Sequence, residues 1–264
     1  MLTLIGLGLN DEKDLTLKGI NEAKKADRVY IELYTSYWHG NLKNLEKIIG
    51  KKIEILKRKD LEENSKRILD EAKKENVVIF VPGDPLVATT HSSLILEARK
   101  LKIKTKIAHN ASIISAIGET GLHLYKFGPS ITVPFPEKTK GKLPESIYDV
   151  IKMNKSRGLH TLCLLDVVAD ENKYMLPEEA MNILLDIEDK RKEGVFTKDN
   201  EIIVANCLGS DKPLIIFGKI QDLLKKKIHE KPSVLIIPGI LHFTEREILS
   251  LLYSKTPISL NTTK

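Results

Sequence analysis

The sequence predicts an α/β protein of two domains, the first with a mostly parallel sheet and the second with a mixed sheet. In the first 110 residues, short apolar segments alternate with amphipathic helical patterns, which is typical of βαβ units. In the second part, two apolar segments are separated only by GSDK, a connection of hairpin length, so we expect some antiparallel pairing there. The length of 264 residues also suits about two domains.

The first domain is predicted to cover residues 1–110. Its most apolar segment, VVIFV, is expected to be the central strand, because a parallel sheet is buried on both faces. The helix after VVIFV has Thr89 or Thr90 as its expected N-cap. Predicted strands are residues 2–8, 28–33, 53–56, 77–81 and 104–109, and predicted helices are residues 15–26, 60–75, 90–101 and a segment that ends near residue 50.

The second domain is predicted to cover residues 111–264. It opens with a small-residue helix, and a polar loop bounded by prolines follows its first strand. The predicted helices are residues 111–121 and 177–193, the loop is residues 136–146, and the predicted strands are residues 130–135, 159–167, 201–208, 213–220 and 233–239.

Composition excludes several classes of protein. Hydrophobic residues make up 42% of the chain, which is enough for a buried core. Aromatic residues make up only 5%, which argues against stacking on single-stranded nucleic acid, and the net charge of +6 comes from mixed acidic and basic residues. We expect no membrane span and no signal peptide. The two cysteines, Cys163 and Cys207, lie far apart in apolar segments, as buried thiols of a reduced, cytoplasmic protein do.

The first candidate site is GLGLND, which follows the first predicted strand. It begins like a dinucleotide-binding fingerprint, but the third glycine of that pattern falls on Asp11. Together with Glu12 and Asp14, this carboxylate would repel a pyrophosphate, so a nicotinamide enzyme is disfavoured. On this motif alone, a plain glycine turn between a strand and a helix remains an equal alternative.

The second candidate site is the turn Pro82-Gly83-Asp84-Pro85, at the carboxyl end of the predicted central strand. Pro85 directs Asp84 toward extended geometry, and Gly83 permits a close backbone approach. Open α/β sheets bind ligands at this end of their strands, and the small side chains of VATTHSS would let a ligand lie against the backbone. The alternative is a stiffened loop in which Asp84 only caps a turn.

Other polar residues give weaker evidence for a functional site. His91 and His109 have no partner at metal-ligand spacing, so no metal site is expected. A nucleophile elbow is missing, and Ser112 has no identifiable base, so we do not predict nucleophilic catalysis. Asp166 is either a candidate general base or a turn residue. PGILH, which ends at His242, repeats the strand-then-turn pattern as a second crevice-lining turn, with His242 in a structural role.

With these motifs in order, the chain resembles the tetrapyrrole-methylase-type S-adenosylmethionine-dependent methyltransferases. The blocks are GLGLND, VPGDPLVATTH, HNASIISAIGETGL and YKFG. Within that superfamily the chain is similar to the diphthine synthases, through IELYTSYW, GLHTLCLLDV, GVFT and PGILHFTE, from residue 2 to about residue 246. Leu9 stands where corrin-making members usually have proline, which weighs against that alternative.

The resemblance implies two α/β domains with the cofactor in the cleft between them, generally in a cytoplasmic homodimer. Diphthine synthases methylate the amino group of a 3-amino-3-carboxypropyl side chain built on a histidine of elongation factor 2. The archaeal type transfers three methyl groups to nitrogen, and the product of each transfer is S-adenosylhomocysteine. A precorrin or cobalt-precorrin methyltransferase and a non-catalytic nucleotide-binding protein remain as alternatives.

The resemblance also implies the residues that hold S-adenosylmethionine. Asp84 would orient the polar or cationic end of the cofactor, without a metal. Ser233 stands where relatives often have histidine. The implied cofactor positions are Leu9, Asp84, Val87, Ser112, Ile113, Leu165, Leu208 and Ser233.

One loop of this aromatic-poor chain clusters four rings, Tyr34, Tyr37, Trp38 and His39. If the acceptor is a folded protein, this loop is a candidate docking surface for elongation factor 2, together with basic surface. Alternatively, the rings close the interface between the two domains.

Overall fold

The computed structural model describes residues 1–253, whose contacts divide the chain into two compact units. Unit 1 contains Met1–Ala116 and the short segment Val168–Asn172; unit 2 contains Ile117–Val167 and the chain from Lys173 onward. The contacts thus divide the chain after Ala116, whereas the predicted boundary follows residue 110. Residues 254–264, the end of the predicted second domain, lie outside the described part. The predicted division into domains at residues 1–110 and 111–264 therefore stays a prediction.

Unit 1 is a five-stranded, entirely parallel sheet with helices on both faces. Its elements are β1 (Leu2–Gly6), α1 (Leu17–Lys25), β2 (Arg28–Glu32), α2 (Leu42–Ile49), β3 (Glu54–Leu56), α3 (Arg58–Glu62), α4 (Lys66–Lys74), β4 (Val77–Val81), α5 (His91–Lys100), β5 (Thr105–Ala108) and α6 (Ile113–Ala116). The strand order is β3-β2-β4-β1-β5, so the fully buried β4 is central, as its composition predicted.

Successive residues of β1 face opposite sides of the sheet and enter two separate cores. Leu2 and Leu4 pack with residues of α4 and α5, while Ile5 packs with residues of α1 and α2. The central strand β4 is covered on both faces and carries no polar side chain. Within residues 1–253, no helix has the length and apolar character needed to cross a membrane.

Three helical predictions in this unit were wrong in detail. The predicted helix at residues 60–75 is two helices, because Asn64 and Ser65 interrupt it. The Asn64 N–H donates back to the Lys59 carbonyl at 2.8 Å, and Ser65 occupies the N-cap position of α4. The small-residue helix is shorter than predicted, since a 3-10 turn follows α6. Thr90 occupies the N-cap position of α5, but its hydroxyl donates to Glu62 and makes no cap.

Unit 2 is a mixed five-stranded sheet with the order β11-β10-β12-β7-β6. Its elements are β6 (Ile131–Val133), α7 (Glu145–Ser156), β7 (Thr161–Leu165), β9 (Lys173–Tyr174), α8 (Pro177–Arg191), β10 (Glu201–Asn206), β11 (Leu214–Lys219), α9 (Ile220–Leu223), β12 (Ser233–Ile237) and α10 (Phe243–Tyr253). The short strand β8 (Val167–Val168) has one residue in each unit and pairs with β9 in a separate two-stranded sheet. The predicted hairpin across GSDK is confirmed, since β10 and β11 pair antiparallel, while β6 and β7 are parallel.

The sequence patterns did not predict α7 and α10. In α7 the buried positions are Tyr148, Ile151 and Asn154, so the inward stripe includes an amide and is not a run of aliphatic residues. Both cysteines are free thiols. Cys163 is buried in β7, and burial raises the pKa of its thiol.

Candidate functional site

The two glycine turns of unit 1 lie side by side at the carboxyl edge of its sheet. The Gly8 N–H donates to the Gly83 carbonyl at 3.2 Å, and the Gly83 N–H donates back to the Gly8 carbonyl at 2.9 Å. Gly8 has a φ of +84° and Gly83 a φ of +68°, a region that favours glycine. GLGLND and PGDP are therefore one bonded structure, although some 70 residues separate them in the chain.

Gly6, the last residue of β1, is required for this close approach. A Cβ at Gly6 would lie 2.5 Å from the Gly83 carbonyl oxygen and 2.8 Å from the Cβ of Asn110. The two turns and Asn110 therefore approach Gly6 so closely that there is space for a hydrogen atom but not for a side chain.

Asp84 binds these segments together through its carboxylate. Its Oδ1 accepts from the Leu86 N–H at 3.0 Å. Its Oδ2 accepts from the Asn110 N–H at 3.2 Å and lies 2.8 Å from Nδ1 of the exposed His109 ring. Asp84 is only 6% exposed. A carboxylate offers about four acceptor positions, so three are used within unit 1 and one is left for a ligand.

Two residues that the sequence argument did not select complete this edge. The Asn110 amide donates to the carbonyls of Gly6 and Asp14, both at 3.0 Å. Asp14 Oδ2 accepts from the N–H groups of Leu9 and Asn10, at 3.1 and 2.7 Å. The carboxylate interpreted as repelling a pyrophosphate is thus an internal cap for the first turn. The Asn110 bonds span about a hundred residues, so no local pattern marks that role. The Asp14 bonds are local, but an acidic residue after a glycine turn does not by itself show whether it caps that turn or faces a ligand.

The structure gathers the five implied cofactor positions of unit 1 at this one edge. Leu9 lies in the first turn, and Val87 donates its N–H to the Asp84 carbonyl at 3.2 Å. Ser112 is the nearest neighbour of the space beside Gly83, since a Cβ there would lie 3.8 Å from its Cα. Ile113 begins α6. Leu9, Val87 and Ile113 are only half-buried, so apolar surface at this edge is open to a ligand.

The three implied positions of unit 2 also share one edge of their own sheet. Because β12 is antiparallel to both β7 and β10, its first residue lies at the same edge as the last residues of those strands. Leu165 ends β7, Ser233 begins β12 opposite Asn206, and Leu208 follows β10. The Asn206 amide nitrogen donates to Ser233 Oγ at 2.5 Å. Its buried Oδ1 has no hydrogen-bond partner among residues 1–253.

Residues 1–224 match the model of the family described as Tetrapyrrole (Corrin/Porphyrin) Methylases. The chain belongs to the tetrapyrrole methylase family. It is therefore an S-adenosylmethionine-dependent methyltransferase, and the predicted fold class is confirmed.

Known relatives refine this result. A Methanocaldococcus jannaschii protein named diphthine synthase is 46% identical over 255 residues, 96% of this methylase and 98% of the relative. One of the same name from Methanococcus vannielii is 44% identical over 254 residues, 96% and 99% of the two chains. A solved structure of a diphthine synthase is 36% identical, covers 96% of each chain and superimposes with a TM-score of 0.86. The predicted similarity to diphthine synthases is confirmed.

In this methylase, Asp166 lies in an internal polar cluster of unit 2. Its Oδ2 accepts from the Phe135 N–H at 2.9 Å, and its Oδ1 accepts from Lys138 Nζ at 2.6 Å and from the Val167 N–H at 2.8 Å. These bonds hold Asp166 in its turn and leave about one acceptor position free, so the turn-residue and general-base interpretations both stay predictions.

A larger polar cluster surrounds Glu245 of the methylase, which is fully buried. It accepts from the N–H groups of His123 and His242, at 2.8 and 2.7 Å, from His160 Nε2 at 3.1 Å, and from Lys126 Nζ. Burial alone would raise the pKa of Glu245, but these donors outweigh burial and lower it to about 2. The backbone contact to His242 agrees with its predicted structural role.

The four rings of the aromatic loop do not form one exposed surface. Tyr34 and Trp38 are 5% and 9% exposed, and each belongs to a hydrophobic core of unit 1. They are therefore removed from the proposed docking surface, which keeps only the exposed His39 and the half-buried Tyr37. Within residues 1–253, no three His, Cys, Asp or Glu side chains are grouped so that they could hold a metal ion.

Proposed function

We propose that this methylase acts in diphthamide biosynthesis. It would transfer three methyl groups from S-adenosylmethionine to the amino nitrogen of the 3-amino-3-carboxypropyl-histidine on elongation factor 2. One observation carries the proposal: relatives named diphthine synthase are 44% to 46% identical over almost the whole of both chains. The number of transfers follows the archaeal type that the sequence resembles.

The proposed cofactor contacts are the eight positions at the two sheet edges. Their chemistry fits S-adenosylmethionine in two ways. Half-buried Leu9, Val87 and Ile113 offer apolar surface to an adenosine, and one acceptor position of Asp84 remains for a cationic or polar group. Asn206 Oδ1 is a buried acceptor that lacks a donor among residues 1–253, and the cofactor is rich in N–H and O–H donors.

The proposed chemistry needs placement more than a reactive side chain. When bound, S-adenosylmethionine supplies an electrophilic methyl group on a sulfonium. The hydrogen-bonded turns around Gly6, Gly8 and Gly83 would hold one reactant without rearrangement. Positioning of the two bound reactants is the main contribution that an enzyme makes to such a displacement. An alkylamine has a pKa near ~10, so the site must favour the unprotonated form of the acceptor amine. Exclusion of water would do so, because it disfavours the charged form.

We also propose a cytoplasmic homodimer, as the resemblance implies. Sedimentation analysis at micromolar concentration is expected to give twice the chain mass of 29.8 kDa. A monomer at that concentration would contradict this part of the proposal.

The proposed acceptor can be tested directly with labelled S-adenosylmethionine. Elongation factor 2 that carries the aminocarboxypropyl-histidine is expected to take up label, and mass spectrometry of the modified peptide should show three added methyl groups. Elongation factor 2 with an unmodified histidine is the control and should stay unlabelled. Label on a corrin precursor, with none on the factor, would instead support the corrin alternative.

Asp84→Asn is expected to weaken the binding of S-adenosylhomocysteine by at least about tenfold. An amide has only one acceptor oxygen, so the N–H of Leu86 or of Asn110 loses its partner and the turns loosen. Titration calorimetry measures the change. His109→Ala removes only the exposed ring and should cost less than about fivefold. Unchanged binding and turnover in Asp84→Asn would contradict a role for Asp84.

A further inference from the structure

Three ionisable side chains lie together in unit 1 behind the PGDP turn, and none is an implied cofactor contact. Glu32, Tyr34 and His91 are 0%, 5% and 2% exposed. Burying such groups costs free energy unless each finds a partner. Glu32 ends β2 and His91 begins α5, so the cluster lies next to the edge where the two glycine turns meet.

His91 supports the turn through a single carbonyl. Its Nδ1 lies 3.3 Å from the Pro85 carbonyl oxygen, which also accepts from Thr89 Oγ1 at 3.0 Å. Pro85 directly follows Asp84 and is separated from Val87 by one residue. Because a carbonyl oxygen only accepts, His91 Nδ1 must carry the proton in this contact.

The opposite edge of the His91 ring, which carries Nε2, lies next to the loop after β2. A neutral ring protonated on Nδ1 has an acceptor at Nε2, which lies 3.5 Å from the Tyr34 hydroxyl and 3.8 Å from Glu32 Oε1. Burial lowers the pKa of His91, which keeps the ring neutral, and burial raises the pKa of Glu32 to about 7.

Glu32 in turn orders that loop. Its Oε2 accepts from the N–H groups of Tyr34 and Thr35, at 3.0 and 3.2 Å, and its Oε1 accepts from Thr35 Oγ1 at 2.5 Å. The ring of His91 therefore lies between an ordered loop and the Pro85 carbonyl.

A backbone feature of the same segment agrees with side-chain contacts that hold it. Ala88 has a φ of +55°, which a residue with a Cβ rarely adopts and which costs of the order of 1 kcal/mol. Thr89 and His91, which follow it, both contact the Pro85 carbonyl. The segment keeps this conformation because its two ends are bonded.

We propose that His91 is a positioning residue for the cofactor-binding turn at residues 82–87. Its Nδ1–H holds the Pro85 carbonyl, and the Tyr34 hydroxyl, which can donate to Nε2, supports that tautomer from the opposite edge of the ring. This inference rests on the proposed function in one respect, that the turn contacts S-adenosylmethionine. His91 acts through Pro85 and touches no reacting atom, so its loss should change cofactor affinity and leave the chemical step unchanged.

Two substitutions separate the nitrogens of the ring. His91→Asn keeps an N–H donor where Nδ1 lies, whereas His91→Gln places its amide where Nε2 lies. With S-adenosylhomocysteine as the calorimetric probe, His91→Asn is expected to bind within about threefold of the wild type, and His91→Gln about tenfold more weakly. In methyl transfer the deficit of His91→Gln should lie in the KM for S-adenosylmethionine, with kcat retained. Ser92→Ala, at the exposed neighbouring position, is the control and should bind normally.

Thermal unfolding of each variant shows whether a loss of affinity merely follows a loss of folded protein. Equal affinities for the Asn and Gln variants, or a folded Gln variant that binds as the wild type does, would overturn the positioning role. If the wild type binds the probe but does not label elongation factor 2, only the proposed acceptor fails. A wild type that does not bind the probe would overturn both proposals.

Discussion

Gly6→Ala is expected to abolish measurable cofactor binding and to destabilise the protein by about 2–3 kcal/mol. Its Cβ would lie 2.5 Å from a backbone oxygen of Gly83 and 2.8 Å from the Cβ of Asn110, and neither neighbour is the flexible end of a side chain. The two turns must therefore separate, which breaks the reciprocal bonds between Gly8 and Gly83. Urea unfolding gives the stability change, and calorimetry with S-adenosylhomocysteine gives the affinity.

Gly118→Ala is the matched control for this substitution. A Cβ at Gly118 has no neighbour within 4 Å among the described residues, so its free energy of unfolding should stay within about 0.5 kcal/mol of the wild type. If Gly6→Ala behaves like this control, the close approach of the two turns is not what supports the site.

Glu245→Gln is expected to lower the free energy of unfolding by about 3 kcal/mol near neutral pH. The glutamine amide nitrogen would face donors, leaving Lys126 or a backbone N–H without an acceptor in a buried position. Glu247→Gln, on the exposed side of the same helix, is the control and should change stability by less than about 0.5 kcal/mol. Chemical denaturation measures both variants.

The effect of Glu245 should depend on pH in a defined direction. Its donors lower the folded-state pKa to about 2 from an ordinary value of 4.5, so the unfolded chain takes up a proton first as the pH falls. The stabilisation is complete above about pH 4.5 and is lost as the pH approaches about 2. The advantage of the wild type over Glu245→Gln should therefore shrink over that range. A constant difference would contradict the low pKa.

Much of the fold could be predicted because hydrophobic patterning is local. VVIFV was placed at the centre of a parallel sheet from its composition, and GSDK was recognised as a hairpin from its length. The same reasoning failed where local pattern is ambiguous. Asn64 and Ser65 interrupt a segment whose charged and apolar periodicity continues across them, and α7 turns an asparagine toward the core.

The candidate site was predictable only in part, because the type of a polar residue does not specify which group it will bind in the folded chain. The glycine turns and Asp84 stood out through residue types that constrain the backbone. Asp14 was interpreted as repelling an anion, whereas it caps the N–H groups of Leu9 and Asn10. Trp38 was a candidate for a docking surface or for the interface between the domains, whereas it packs in a core of unit 1. In both cases the sequence showed the residue type but not the contacts that the residue makes in the folded chain.

By itself, the sequence determined the alternation of strands and helices, the parallel first sheet, the mixed second sheet and the turns that end their strands. These follow from periodicity and from glycine and proline, which act over a few residues. Only the tertiary structure decided that Gly8 meets Gly83, that Asn110 bonds to Gly6, and that His91 lies behind Pro85. Such hydrogen bonds depend on which strand ends share an edge of the sheet, and chain order alone does not specify those neighbours.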